Sequence, residues 1–167
     1  MLSSISAVRF GVAVAFAGFA FGLTAVAQTV PAGGAPGPSP ARQAVDTRKA
    51  AFTLIGANFR PLGAVLKGGA FDPADVEKRA SRVAFLAGLL DEAFPAVSNL
   101  GEPDSKAKAE IWSNLPDFAK KLKDFQTHSA ALAQVAATEK GATDVFKAAV
   151  ATVGQDCKGC HDTYRTQ

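Results

Sequence analysis

Apolar side chains recur at spacings of three and four residues in four stretches of this chain, which cover residues 44–67, 73–97, 105–138 and 143–164. This spacing puts them on one face of an α-helix, and no stretch alternates with period two for long enough to be a strand. Four amphipathic helices with mostly short connections bury their apolar faces most simply against one another. The sequence therefore predicts an all-α fold, an antiparallel up-down four-helix bundle.

Capping residues and prolines predict where these helices begin and bend. Asp72 precedes Pro73, which is the usual order of an N-cap and a first helical residue. The stretch "KGGAFDP" ends the helix before it. Pro61 and Pro116 lie inside the first and third stretches, so we expect a bend or kink at each of them.

The first 27 residues have the composition of a secretory signal peptide. Arg9 is followed by an apolar run that ends in residues 25–27, "AVA", the small-x-small pattern that a signal peptidase accepts. Cleavage near Ala27 would export the chain to the periplasm, and an uncleaved membrane anchor is the alternative. Residues 28–43 are mostly proline, glycine, alanine and serine, which predicts a flexible leader before a domain that spans 44–167.

Charge and motif content exclude several classes of function. The chain carries 18 basic and 15 acidic side chains, a net charge of +3 that falls to +2 when Arg9 leaves with the signal peptide. This excess is too small to predict nucleic-acid binding, and no basic run with interleaved aromatic residues occurs. The sequence has no recognisable catalytic triad, paired acid–base carboxylates or phosphate loop, so we predict no enzymatic activity.

Both cysteines of the chain lie in the stretch "DCKGCHDTYR", residues 156–165. On a helix, Cys157, Cys160 and His161 share one face, because residues three and four apart are neighbours. A thioredoxin-like redox pair would lie at the start of a helix after a strand. A zinc site would need about four ligands, and a disulfide at this spacing is awkward on a continuous helix.

The sequence Cys-x-x-Cys-His is instead the attachment signature of c-type haem. We therefore predict one haem c, bound covalently through thioethers to Cys157 and Cys160, with His161 as an axial ligand of the iron. The predicted bundle thus carries its covalent haem near the C-terminus. A haem-free helical bundle with a metal or a disulfide at this position is the alternative.

A second strong iron ligand is hard to find in the sequence. Met1 is the only methionine and leaves with the signal peptide, and His128 is the only other histidine. His128 lies about a quarter-turn from the apolar face of its helix, as a solvated residue on the helix flank would. We therefore predict a five-coordinate iron that binds NO and CO. A low-spin electron-transfer cytochrome with an unidentified sixth ligand is the alternative.

From about residue 44 to its C-terminus, the chain resembles the cytochrome c prime family. The stretches that carry the resemblance are "RKAAF", "LGAVLKG", "AFP", "SKAKAEIWSNLPDF" and "CKGCHDTYR". The resemblance implies a four-helix bundle with a haem near the end of the chain. Members of the family are described as gas-binding and as electron-transfer proteins, so a periplasmic or membrane redox partner is also implied.

The resemblance implies roles for three further residues. Phe52 falls where relatives carry the residue over the distal face of the haem, a position at which low-spin relatives have a methionine ligand. Arg48, one turn earlier, would pair with a haem propionate, and the alternative is an arginine that extends to solvent at the end of the bundle. Arg165, one turn after His161, would hydrogen-bond a ligand on the proximal side or else be a frayed terminal residue.

Relatives are commonly homodimers that pair through their first two helices, so the resemblance also implies a homodimer. Phe85 and Leu89 lie off the main apolar face of the second helix and are candidates for that contact. Trp112 matches an "IW" pair typical of the family, and packing in the core is its expected role.

Overall fold

The computed structural model describes residues 37–99 and 101–166, and the predicted signal peptide and most of the predicted leader lie outside them. The helices are α1 (Pro40–Val65), α2 (Pro73–Gly88), the single turn α3 (Glu110–Ser113), α4 (Leu115–Thr138) and α5 (Asp144–Tyr164). Four of these helices are long, and the described residues form no strand beyond one isolated bridge. The predicted all-α four-helix bundle is confirmed.

Side-chain caps define the starts of three of the long helices. The Ser39 side chain accepts a hydrogen bond from the Arg42 amide at 3.1 Å, so α1 begins at Pro40, four residues before the predicted start. Asp72 caps α2 as predicted, by accepting from the amides of the first turn. Thr143 caps α5 in the same way.

Prolines and loop residues break the second and third predicted stretches. The second stretch is α-helical only as far as Gly88. It continues as two 3₁₀ turns, Leu89–Glu92 and Ala96–Asn99, on either side of Pro95. In the third stretch, Asn114 has φ −132° and ψ 51°, which is not a helical conformation. The helix therefore ends with α3, and a second helix, α4, begins at Leu115 with Pro116 in its first turn. Pro116 therefore begins a helix instead of kinking one, because proline fits the first turn without losing a hydrogen bond. Pro61 stays inside α1.

Contacts between consecutive long helices give their relative directions. Phe94, beyond the end of α2, stacks edge to face on Phe118 near the start of α4, with ring centroids 4.9 Å apart. Gln126, two turns further along α4, donates to the Ala87 carbonyl. From the first contact to the second, the residue number rises along α4 and falls along α2, so these two helices are antiparallel. The Phe118–Tyr164 stacking and the His128–Asp156 contact give the same result for α4 and α5.

The core of the bundle consists of branched and aromatic side chains from all four long helices. Its fully buried members include Leu62, Val83, Leu132, Phe146, Val150 and Val153. Leu66, Val97 and Leu115 belong to the apolar spacing of the predicted helices, but they are 42%, 41% and 53% exposed. All three lie at or beyond helix ends, where the helical turn no longer presents the expected face to the core. No helix in the described part of the chain is long and apolar enough to cross a membrane.

Truncation of a core leucine should destabilise the bundle far more than truncation of a surface one. Leu132 is fully buried, so we expect Leu132→Ala to lower the free energy of unfolding by about 2–5 kcal/mol through lost burial and a residual cavity. Leu54 is 50% exposed, and Leu54→Ala is the matched control. Denaturant unfolding of both variants measures the difference, and equal losses would contradict this packing.

Candidate functional site

The C-terminal half of α5 brings a thiol and an imidazole to the wall of one cavity. The cavity has a volume of about 570 Å³, and Cys160, His161 and Tyr164 of α5 line it. Cys157, one turn earlier, is partly buried and packs against the hydrophobic core instead. Cys157 and Cys160 are therefore partly buried on the inward face of α5, and His161 lies at the exposed edge of that face. Only Cys160 and His161 border the cavity.

Helix α1 forms the opposite wall of the cavity. Phe52 lines it and is 36% exposed, because its ring faces the cavity and not the packed core. The ring centroids of Phe52 and His161 are 6.3 Å apart and their planes are inclined by 66°. The centroid of the Phe94 ring also lies 6.3 Å from that of Phe52. The predicted position of Phe52 across from His161 agrees with this arrangement.

Arg48 is a buried cation in the same wall, one turn before Phe52. Its side chain donates to the Ser98 hydroxyl at 2.8 Å and to the Ser105 hydroxyl at 2.6 Å, and the residue is 4% exposed. The guanidinium also lies over the Phe94 ring, 5.3 Å from its centroid. Burial lowers the pKa of Arg48, although arginine remains charged.

No carboxylate of the described residues lies within 4.0 Å of this guanidinium. The ion pairs in residues 37–99 and 101–166 do not include Arg48, and its polar contacts are hydroxyls. A buried charge ordinarily has a counter-charge, because hydroxyls and aromatic rings only partly offset the loss of water. The site therefore favours an anionic group beside Arg48. The alternative of an arginine that extends to solvent is wrong, because the residue is buried.

Arg165 lies at the cavity rim and its backbone is held in position. It forms an isolated antiparallel bridge with Ala107, flanked by hydrogen bonds from the Lys108 amide to the Tyr164 carbonyl and from the Thr166 amide to the Lys106 carbonyl. The C-terminal residues that follow α5 are therefore paired with the loop before α3, and the alternative of a frayed terminus does not describe this backbone. The Arg165 side chain lines the cavity.

His128 contacts Asp156 and does not border the cavity. Its Nδ1 lies 2.8 Å from Oδ2 of Asp156, which links α4 to α5, and its side chain is 40% exposed. It is not among the residues that line the cavity. The position of His128 therefore agrees with the predicted solvated residue on the flank of its helix. Its contact with the Asp156 carboxylate could not be read from the sequence pattern.

Burial sets the protonation of the residues on the inward face of α5. It raises the pKa of the Cys157 thiol to about 11, with a smaller contribution from the Asp156 carboxylate. Burial also raises the pKa of Cys160. It lowers the pKa of His161, and the positive charge of Arg165 acts in the same direction. Both cysteines are consequently neutral thiols near neutral pH, and the imidazole keeps a lone pair for a metal.

These residues fit a c-type haem. The cavity volume lies within the range of about 300–1,000 Å³ typical of cofactor sites, and the aromatic rings of Phe52, Phe94, Phe118 and Tyr164 line part of it. Cys157 and Cys160 are free thiols, His161 is available as a ligand, and buried Arg48 suits a carboxylate of the macrocycle. The zinc alternative finds no support, because no three His, Cys, Asp or Glu side chains of the described residues converge on a metal position.

Sequence reasoning missed several residues that build this site. Ser98 and Ser105 hold Arg48, and Tyr164 closes the cavity with its hydroxyl 2.6 Å from a carboxylate oxygen of Asp117. Trp112, which the sequence singled out for core packing, is partly buried against Ile111, Phe118 and Tyr164, and it also donates its indole N–H to the Phe94 carbonyl and lies near Arg48. Serines in a loop carry no periodic signal, and only the buried arginine on an apolar face could have indicated that such partners exist.

A four-helix bundle in which Cys160 and His161 of a Cys-x-x-Cys-His sequence line a cavity defines the class of helical c-type haem proteins. Comparison with known proteins gives the family. The profile described as Cytochrome C' matches residues 43–165. The structure of cytochrome c prime from Shewanella frigidimarina is 40% identical, covers 78% of this chain and 99% of its own, and superposes with a TM-score of 0.72. The chain belongs to the cytochrome c' family and is a c-type haem protein.

Two further solved structures have the same fold. A cytochrome c' with ligand-controlled dimer dissociation is 30% identical, covers 79% of this chain and all of its own, and has a TM-score of 0.70. A ferrous variant of cytochrome c prime from Alcaligenes xylosoxidans with bound NO is 29% identical, covers 76% and 97% of the two chains, and has a TM-score of 0.67.

Thiol reactivity should follow the burial of the inward face of α5. Because the pKa of Cys157 is raised from 9.0 to about 11, its thiolate should become the main form only as the pH approaches about 11. In the folded haem-free chain near pH 8, we expect iodoacetamide to alkylate Cys157 about a hundredfold more slowly than a cysteine with an ordinary pKa.

The neighbouring carboxylate gives this experiment an internal test. Asp156→Asn removes the smaller cause of the raised pKa and should speed alkylation of Cys157, whereas Asp162→Asn serves as the control of equal charge. Mass spectrometry of the Cys157 peptide measures both rates. Alkylation as fast as in the unfolded chain would contradict the burial of this thiol.

Proposed function

We propose that this chain is a periplasmic haem protein whose five-coordinate iron binds NO and CO and takes part in electron transfer. Cys157 and Cys160 would hold one haem c as thioethers, and His161 would bind its iron. When bound, the haem supplies an iron with one open coordination position and two accessible oxidation states. The observation that carries this proposal is the wall opposite His161, where α1 presents the Phe52 ring.

The side chains around the cavity support an open coordination position. His161 is the only histidine among the described residues that line the cavity, and the only methionine of the sequence is Met1. A phenyl ring offers no lone pair to a metal, so the role of Phe52 is steric. Its ring must turn aside before a diatomic molecule occupies the space opposite His161.

The known relatives support a diatomic ligand and the assignment as a binding protein. The Alcaligenes xylosoxidans protein, in a ferrous variant, holds NO. We assign no catalytic reaction to this chain. Electron exchange is supported by the position of the cavity at the protein surface, where Phe52, His161 and Arg165 are all exposed.

An absorption spectrum with and without CO tests this proposal. The reduced protein should show the spectrum of high-spin five-coordinate haem, and CO should shift its Soret band at once. A low-spin spectrum that does not change on addition of CO would contradict the open coordination position and support the alternative of a sixth ligand. Lys49 and Lys106 line the cavity and would be the candidates for that ligand. A protein without a Soret band would contradict the haem assignment itself.

Removal of the Phe52 ring should open the space opposite His161. We expect Phe52→Ala to raise the CO association rate about tenfold, equivalent to roughly 1.4 kcal/mol of steric barrier. The control is Leu54→Ala on the same helix, since Leu54 does not line the cavity. Flash photolysis of the CO complex measures the rates, and an unchanged rate in Phe52→Ala would remove this residue from the distal role.

The homodimer is also a proposal. Phe85 and Leu89 on α2 and just after it are 68% and 49% exposed, and unpartnered apolar surface of this kind favours association. A relative with ligand-controlled dimer dissociation supports the same conclusion. Phe85→Glu should convert a dimer to a monomer in sedimentation velocity, and a wild-type protein that sediments as a monomer at all concentrations would contradict the dimer.

A further inference from the structure

Tyr164 is the only tyrosine of the sequence, and it lies in the wall of the cavity. The residue is 2% exposed, and its ring stacks edge to face on Phe118 with the ring centroids 5.3 Å apart. Together with Ile111, these two rings form a second buried cluster, and Cys160 packs against it. The phenol of Tyr164 therefore adjoins the predicted haem site while the packing shields it from bulk water.

The hydroxyl of Tyr164 has a carboxylate as its hydrogen-bond partner. It donates to Oδ2 of Asp117 on α4, and the two oxygens are 2.6 Å apart. A base within about 2.6–3.2 Å of an O–H group can accept its proton directly. The Asp117 side chain is 42% exposed, and Nζ of Lys121 lies 4.0 Å from the same carboxylate oxygen. Asp117 thus connects the buried hydroxyl to the surface of the bundle.

A carboxylate is a stronger base than a buried phenol needs, because an uncharged acceptor such as a backbone carbonyl satisfies a hydroxyl donor. Burial, followed by the hydrogen bond to Asp117, raises the pKa of Tyr164 to about 12. Near neutral pH the phenol therefore keeps its proton. Loss of an electron reverses this balance, because an oxidised phenol is a very strong acid and the proton then moves to Asp117.

The other oxidisable aromatic side chain of this cluster lacks such a base. Trp112 is the only tryptophan of the sequence, and its indole N–H donates to the Phe94 carbonyl at 3.2 Å. A backbone carbonyl is too weak a base to take the proton of an oxidised indole. The positive charge would then remain on a ring whose centroid is 5.9 Å from the Arg48 guanidinium, and like charges repel. Tyr164 is consequently the easier of the two residues to oxidise.

We propose that Tyr164 and Asp117 form a redox-active pair that gives one electron to a strong one-electron oxidant in or beside the cavity. The O–H bond of Tyr164 breaks, its proton forms a new O–H bond on Asp117, and its electron reduces the oxidant. The products are a neutral tyrosyl radical, a neutral Asp117 carboxyl group and the reduced oxidant. A one-electron reductant in solution, such as ascorbate, then restores the phenol as Asp117 returns the proton. This activity is additional to gas binding and does not require an open coordination position on the iron.

Photo-oxidation of the haem-loaded ferric protein detects the radical. Light converts tris(bipyridine)ruthenium(II), with a cobalt(III) ammine as electron acceptor, into a ruthenium(III) complex that accepts one electron. Electron paramagnetic resonance of frozen samples should then show a neutral tyrosyl radical, which has one possible source because the chain has one tyrosine. Tyr164→Phe keeps a ring to stack on Phe118 and should abolish the signal.

The rate of radical formation, followed by transient absorption, measures the role of Asp117. Asp117→Asn keeps an oxygen acceptor but removes the base, so we expect the radical to form on the order of a hundredfold more slowly. Asp124→Asn is the matched control, since Asp124 lies on the same helix, is equally exposed at 42% and pairs with Lys120 instead. The wild-type radical should form more slowly in D₂O than in H₂O, because the proton moves with the electron.

Two results would overturn the redox-active pair. One is the absence of a tyrosyl radical, with or without a radical on Trp112. The other is an equal rate in Asp117→Asn and Asp124→Asn, which would make the Tyr164–Asp117 contact a structural hydrogen bond only. The CO-bound spectrum should be the same in Tyr164→Phe as in wild type, so either result leaves the proposed haem function standing. A wild-type protein that forms the radical but does not respond to CO would contradict the open coordination position alone.

Prolonged illumination tests what the pair does for the rest of the site. At the same ascorbate concentration, the wild-type protein should keep Trp112 intact, whereas Tyr164→Phe should accumulate oxygen on Trp112. Mass spectrometry of the peptide that contains Trp112 measures this oxidation. Equal oxidation in the two proteins would show that Tyr164 does not draw the oxidising equivalent to itself, and it would overturn the proposal.

Discussion

The structure depends on one geometric constraint, the convergence of residues three and four apart on the inward face of α5. Helical spacing brings two thiols and an imidazole to this face, and the antiparallel bundle sets it against α1 and α4. Burial then keeps the thiols protonated and the imidazole neutral. The same residues that close the core thus form a site suited to covalent attachment and to axial ligation.

Electrostatics divides the cavity into an interior and a mouth. Inside, Arg48 is held by two serine hydroxyls and an aromatic ring, and it lacks a carboxylate among the described residues. At the mouth lie the exposed side chains of Lys49, Arg60, Lys106 and Arg165, and Lys49 is 3.6 Å from Asp104. A haem carboxylate would supply the anion that Arg48 lacks inside the cavity.

The sequence predicts the fold and the centre of the site better than it predicts the periphery. The spacing of apolar residues and the Asp72–Pro73 cap predict the helices. The sequence Cys-x-x-Cys-His predicts that Cys157, Cys160 and His161 lie together on one helix. Each of these signals is local in sequence. The break at Asn114, the pairing of Arg165 with Ala107 and the contacts of Arg48 with Ser98 depend on residues far apart in sequence. Such tertiary contacts leave no periodic pattern, so only the folded chain reveals them.

The central claim is that α5 carries one covalently bound haem, and intact-mass analysis of the exported protein tests it most directly. The protein is made in a host that attaches haem to exported chains, and its mass is compared with that of a Cys157→Ala, Cys160→Ala variant. We expect the added mass of one haem on the wild-type chain, located on the peptide that contains both cysteines, and none on the variant. A wild-type chain with two free, alkylatable cysteines and no added mass would contradict it.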